Sequence, residues 1–352
     1  MKRRQLLSIL ILVMLLGARL SAQESYEWRL SSYVVTYLEA SSILQDQVEK
    51  MEDLRAALDT ATIRKESAFS LAQRELDLDV AKLAKREVEN SEVMKAVDLY
   101  IAYVNAHRSL EVAETSLETT LREYSITENR YNAQEETERD LQNARIAVLQ
   151  AEKSLASGVS KFAQAENALI RPLALETKSF DPTIAWDNSV PSAVTLDDTS
   201  IRAASSNYYQ AFRSAELSRE EVEMKSKSDV FTAAEVETAR DSLEKAEENL
   251  RFAEWNLVDT KSNLEFELIA YAADLEIAEI NLSLSETDLD TVALQFEYGE
   301  VLEVEVEGVR AKLKSSIDGL EGLRETLFKL HLEAEDFAGG SVMDVIERWI
   351  SE

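Results

Sequence analysis

The stretch RYNAQEETERDLQNAR, Arg130 to Arg145, separates two long runs of helical periodicity, and QFEYGEVLEVEVEGVR, Gln295 to Arg310, does the same further on. Placed in one register, 165 residues apart, the two stretches bring the chain's apolar positions into correspondence. Leu99 falls on Leu264, Tyr103 on Leu268, Leu110 on Leu275, Leu117 on Leu282 and Tyr124 on Leu289. Beyond the interruption Tyr131 falls on Phe296, Leu141 on Val306, Val148 on Leu313, Leu155 on Leu320 and Phe162 on Leu327. Generic coiled coils share periodicity, but one register held across a non-heptad break points to an internal duplication.

The apolar steps alternate between three and four. Leu275, Ala278, Leu282, Leu289, Val292 and Phe296 form one seam, with Ser285 at the missing step. Leu141, Ala144, Val148, Ala151 and Leu155 form another. This is the knobs-into-holes pattern of packed long helices. Around Asn132–Thr137 and Glu297–Leu302 the seam lapses, and Gly299 tolerates the positive φ that a reversal needs. Helical hairpin tips are expected near 132–138 and 297–303. The Val/Glu alternation of VLEVEVEGV reads locally as a strand. Its counterpart TERDLQNAR is helical, so the segment is assigned to helix.

Composition agrees with long helices. The chain has 352 residues, 8 Gly and 3 Pro. No Gly or Pro occurs between Ala18 and Ser157 or between Ser192 and Tyr298, which leaves little for the turns of a multi-stranded sheet. Pro172, Pro182 and Pro191 fall in one segment. The expected organisation is a signal peptide at 1–22, a first repeat at 23–171, a Pro-containing linker at 172–195 and a second repeat at 196–352 with a short C-terminal helix. Lys2, Arg3 and Arg4, the apolar run Leu6–Ala18 and the small residues before Gln23 carry the signal-peptide reading.

Removing residues 1–22 takes away four basic residues and moves the formal charge from −29 to −33. Such a chain repels nucleic acid. Without cysteine there is no disulfide framework and no acylation site. His107 and His331 are the only histidines and read as surface or seam residues. No HExxH, phosphate-cradling glycine loop or zinc ligand set occurs, so no catalytic, cofactor or metal site is expected. The tip carboxylates Glu300, Glu303, Glu305 and Glu307 either attract cations or complement a helix start. Trp349, in SVMDVIERWI, is placed on an amphipathic helix packed on the bundle.

RYNAQEETERDLQNAR and QFEYGEVLEVEVEGVR resemble the two periplasmic tip motifs of the TolC-type outer-membrane efflux ducts. The helices AVDLYIAYVNAHRSLEVAETSL and IRAASSNYYQAFRSAELSREEVE are similar to that family's as well, and the resemblance covers most of residues 26–335. It implies an all-α, elongated antiparallel coiled-coil bundle of two tandem repeats, trimerising into a periplasmic tunnel. It also implies docking of a periplasmic adaptor and an inner-membrane pump at the tips, through Tyr131, Gln134, Asp140, Phe296, Gly299, Glu300 and Glu305. Asp140 and Glu305 match acidic residues of the family's entrance, and Gly299 matches its tip glycine. Gln134 departs from the tip glycine of the first repeat, Phe296 from a tyrosine, Val301 from a basic residue and Gly308 from a second carboxylate. The family's barrel hairpins would fall at Asp59–Leu78 and Met224–Val236. Neither segment alternates over the ~9–11 residues of a membrane strand. The barrel strands are therefore expected to be absent, and the mature chain to be periplasmic, soluble or peripheral to the outer membrane. Two functions follow as alternatives: an efflux duct or duct accessory, alone as a trimer or with a barrel-bearing homologue, or a structural or chaperone-like coiled-coil protein that has lost transport.

Overall fold

The computed structural model describes residues 28–174, 180–186 and 196–350. The expected signal peptide and cleavage site, and most of the Pro-containing segment, lie outside them. Among the described residues the secondary structure is helix, with two isolated β-bridges. The helices are α1 (Leu30–Ala40), α2 (Ser42–Ile63), α3 (Ala68–Asn132), α4 (Glu138–Ile170), α5 (Asp198–Ala204), α6 (Ser206–Ser226), α7 (Ala233–Glu297), α8 (Glu303–Ala338) and α9 (Val342–Trp349). A 3-10 turn, Arg171–Leu173, follows α4.

The duplication is visible in these bounds. Helices α3 and α7 each have 65 residues and begin and end at positions 165 apart. Each is roughly 97 Å of unbroken helix at about 1.5 Å per residue. Ser67 and Thr232, also 165 apart, accept from Ser70 N and Glu235 N at the two helix starts. Where barrel hairpins would fall, α2 passes to α3 through residues 64–67 and α6 to α7 through 227–232. VLEVEVEGV is helical from Glu303 onward: a helix start with a packed partner overrides a short alternating pattern.

The chain divides into two compact units, one of residues up to Tyr37 with Val97–Ile184, the other of Leu38–Ala96 with Ala185 onward. The first unit is built on aromatics. Tyr33, Tyr100 and Phe180 are fully buried, with Tyr33–Tyr100 and Tyr103–Phe180 centroids both 5.8 Å apart. Each phenol finds a backbone carbonyl: Tyr100 donates to Asp181 O at 2.7 Å, Tyr103 to Phe180 O at 3.3 Å and Tyr33 to Leu169 O at 3.4 Å. Burial pushes the Tyr33 and Tyr100 hydroxyls up. Further along, Leu110, Leu117, Ala151 and Leu155 close the seam between α3 and α4, with Phe162 against it. Gly158 packs against Leu110 in this seam, where a Cβ would stand at an ordinary contact distance of 3.6 Å.

In the second unit α7 packs antiparallel against α6 over its first part and against α8 over its second. Arg219–Glu247 at 2.8 Å pins the first pair, and Arg324–Glu279 at 3.4 Å the second. Leu275, Ala278, Leu282, Leu289 and Val292 lie half-buried along the α7–α8 seam. Ser285 meets Ser316 across it at 3.1 Å, so the missing apolar step is filled by a hydroxyl pair. Phe296 does not belong to that seam. It is 45% exposed, because the helices part at the reversal before the seam reaches it.

A polar knot ties α3 to α5, α6 and α8 in this unit. Arg86 donates to Ala204 O at 2.7 Å, Asn90 to Asp336 at 2.7 Å, and Glu87 accepts from Ser206 N at 2.8 Å. The bonds to Ala204 O and from Ser206 N satisfy helix-end groups that would otherwise be orphaned. Burial raises the Asp336 carboxyl.

Helix α7 has a second apolar face. At about 100° per residue, Phe252, Trp255, Phe266, Ile269, Ile277 and Ile280 fall on the side opposite Leu264 and Leu268. The first six are exposed and the last two buried. A heptad seam on one side and an apolar stripe on the other is more than this single chain uses.

Candidate functional site

Each expected tip is a helix end, a short reversal and a helix start, and the two are the same turn. At the first, Gln134 N donates to Tyr131 O at 3.0 Å and Glu135 N to Arg130 O at 2.8 Å. At the second, Gly299 N donates to Phe296 O at 2.9 Å and Glu300 N to Gln295 O at 2.8 Å. Both are Schellman closures, in which a left-handed residue lets the chain bond back to the last helical carbonyls. That residue is Gly299 at φ +73° and Gln134 at φ +64°. The first tip thus keeps the backbone conformation without the glycine, at a local cost of roughly 1–2 kcal/mol.

The helix starts differ. Thr137 accepts from Asp140 N at 3.3 Å while Thr137 N donates to the Asp140 carboxylate at 3.1 Å. This is a capping box. Hydrogen bonds from Thr137 hold the Asp140 carboxyl below its ordinary value. The contribution is therefore present above that ordinary value and lost as pH falls through the lowered one. The sequence reading singled out Asp140 and missed Thr137, although the spacing in TERD is that of a box. At the second tip the N-cap is Leu302, which has no side-chain acceptor. Glu303 and Glu305 stand in the first turn of α8, where carboxylates complement the helix dipole.

Tyr131, Gln134 and Asp140 are thus brought together at the first tip, and Phe296, Gly299, Glu300 and Glu305 at the second. The sequence reading also missed the second tip's apolar surface. Tyr298 is 80% exposed and Leu302 69% exposed, beside Phe296. Among the described residues no group of three His, Asp or Glu is placed to hold a metal ion, and no helix is long and apolar enough to cross a membrane.

The capping box gives a local test. Thr137→Ala should raise amide exchange at Asp140 and Leu141 about fivefold, a typical loss for a removed cap. Unchanged exchange there would mean that the box does not hold the helix start.

No family model matches this sequence, and no curated protein matches it either. Solved structures do. The Campylobacter jejuni CmeC outer membrane channel superposes with a TM-score of 0.66 at 10% identity, covering 90% of this chain and 88% of that one. The outer membrane protein VceC of Vibrio cholerae gives 0.59 at 12% identity, over 89% and 96% of the two chains. CusC, solved in a study of folding and transmembrane channel formation, gives 0.63 at 15%, again over 89% and 96%. The chain has the TolC-type fold. It carries that fold with no strand among its described residues, α2–α3 and α6–α7 closing through short turns instead.

Proposed function

We propose that this TolC-like chain is a component of a cell-envelope efflux or export system, an α-helical periplasmic duct or duct accessory. It docks through its two hairpin tips with a periplasmic adaptor and, through it, an inner-membrane pump. The observation that carries this reading is the repeated tip. One reversal is kept bond for bond in both repeats, and at the second tip it displays Phe296, Tyr298 and Leu302 to solvent. Exposed aromatics on a turn serve no core of their own and suit a partner. The stripe along α7 supports self-assembly, as a homotrimer or beside a barrel-bearing homologue, because unpartnered apolar faces mark interaction sites.

Gly299→Trp tests the docking. A Cβ there meets nothing within 4 Å, so the expected penalty lies chiefly in the left-handed backbone. The variant keeps its helicity and most of its stability and loses adaptor binding. The acidic tips also make association slower at higher salt. A variant that is destabilised but binds its partners as before removes the main support for transport.

A second reading is favoured by the short turns at 64–67 and 227–232. With helices closed where strands would be inserted, the fold could serve as a structural or chaperone-like periplasmic protein without transport. Pull-down of an adaptor by the mature chain separates the two. Recovery after osmotic shock without detergent tests the soluble or peripheral periplasmic location common to both.

A further inference from the structure

Helix α9 has eight residues, too few to be stable alone. It is held by burying Val342, Val345, Ile346 and Trp349, and Ile350 beyond it bridges to Trp186. Trp186, Phe328 and Trp349 form an aromatic cluster with centroids 5.5 to 6.2 Å apart. His331 of α8 lies inside it, 5% exposed, its ring centroid 4.9 Å from that of Trp349. Its Nε2 is buried without a hydrogen-bond partner. A buried ring nitrogen without a partner is tolerated far better in a neutral imidazole than in a charged one.

We propose that α9 and Trp186 form an acid-released strap, held closed by neutral His331 and opened when that ring is protonated. Protonation would put a cation among aromatic rings and beside Arg348 of α9. Arg348 is already committed, donating to Glu335 of α8 at 2.8 Å and to Asp344 O at 3.0 Å. From the 180–186 segment Trp186 donates to Glu321 at 2.9 Å, so that carboxylate is engaged as well. From α3, Asn90 holds Asp336 and Arg86 holds Ala204 O. Of the helices packed on α8, α5 buries Ile201 and Ala204, α7 buries Leu264 and Leu268 among others, and Lys261 of α7 pairs with both Asp198 and Glu265. Gly339 and Gly340, between α8 and α9, form the hinge on which the strap swings.

Burial, followed by the charge of Arg348, pushes the His331 ring down to about 4, against an ordinary 6.5 once released. A proton therefore binds the open strap more tightly. Closure is fully present above 6.5 and is lost as pH falls from there toward 4. The ratio of open to closed rises about 30-fold at pH 5 and up to about 300-fold below pH 4. Asp336 works in the opposite sense, since its raised carboxyl takes up a proton more readily in the closed form.

Hydrogen exchange of the full mature chain at pH 7.5 and pH 5, corrected for intrinsic rates, reads the opening at residues 342–349. The wild type should lose about 30-fold of its protection there, and His331→Leu and His331→Phe no more than a few-fold. Asp336 is retained in all three, so their difference isolates His331. Equal pH dependence in wild type and variants would overturn the proposal. So would a wild-type strap that stays equally protected at pH 5, because Trp349 would then be holding the imidazolium as a cation–π partner. The strap does not depend on the transport reading, and neither failure would touch it.

Discussion

The double substitution Phe266→Glu, Ile269→Glu should abolish the self-association proposed for the chain and leave its helix content unchanged. Both side chains are 72% exposed on α7, on the side away from buried Leu264 and Leu268. The isolated chain gives up little when they are replaced, because exposed positions on a long helix tolerate Glu, a good helix former. An assembly that covers the stripe must instead bury two unpaired carboxylates, at a cost of about 2–5 kcal/mol each. Sedimentation velocity of both proteins over a range of concentrations reads the outcome. A wild type that is monomeric throughout, or a variant that assembles as the wild type does, would remove the stripe as a self-association surface.

Gly339→Ala destabilises the second unit by about 2–4 kcal/mol, the sum of left-handed strain and overpacking. Gly339 caps α8 at φ +87°, and a Cβ there would stand 2.6 Å from Ala204 Cβ and 2.9 Å from Arg86 Nη1. Relieving the clash moves Arg86, whose bond to Ala204 O holds the end of α5. Gly299→Ala supplies the control. Its φ is +73°, but nothing lies within 4 Å of the added carbon. It should cost only about 1–2 kcal/mol. Chemical denaturation followed by far-UV circular dichroism compares the two. Equal losses would mean that backbone strain alone sets the cost and that the Arg86–Ala204 packing gives way freely.

The repeat, its offset and the two reversals were legible because heptad spacing and turn residues are local signals. Gly299 announced a left-handed position, but Gln134 could not, since its conformation is set by the carbonyls it bonds back to. The sequence placed Phe296 in a seam that the structure ends one step earlier, because periodicity does not say where two helices diverge. It found one apolar face of α7 and not the other, since a heptad reading assigns each helix a single seam. The aromatic contacts were also out of reach. Tyr33 meets Phe180, and His331 meets Trp349 within one helix pair, and the first of these joins distant parts of the chain that no short-range pattern encodes. Trp349 was placed correctly on the bundle because its helix is amphipathic, while the histidine beneath it looked ordinary.

The unequal helix starts at the two tips have a consequence in time. At the first tip every opening of the α4 start must break the reciprocal Thr137–Asp140 bonds as well as the backbone ones. At the second, Leu302 offers α8 no such side-chain clasp, and backbone bonds such as Glu305 N to Leu302 O and the buried Val306 hold the turn. The cap alone, at about 1 kcal/mol, favours unwinding of the second tip's first turn over that of the first several-fold. The duplicated hairpin thus carries a clasp at one tip only, and it is the unclasped tip that carries the exposed Tyr298 and Leu302.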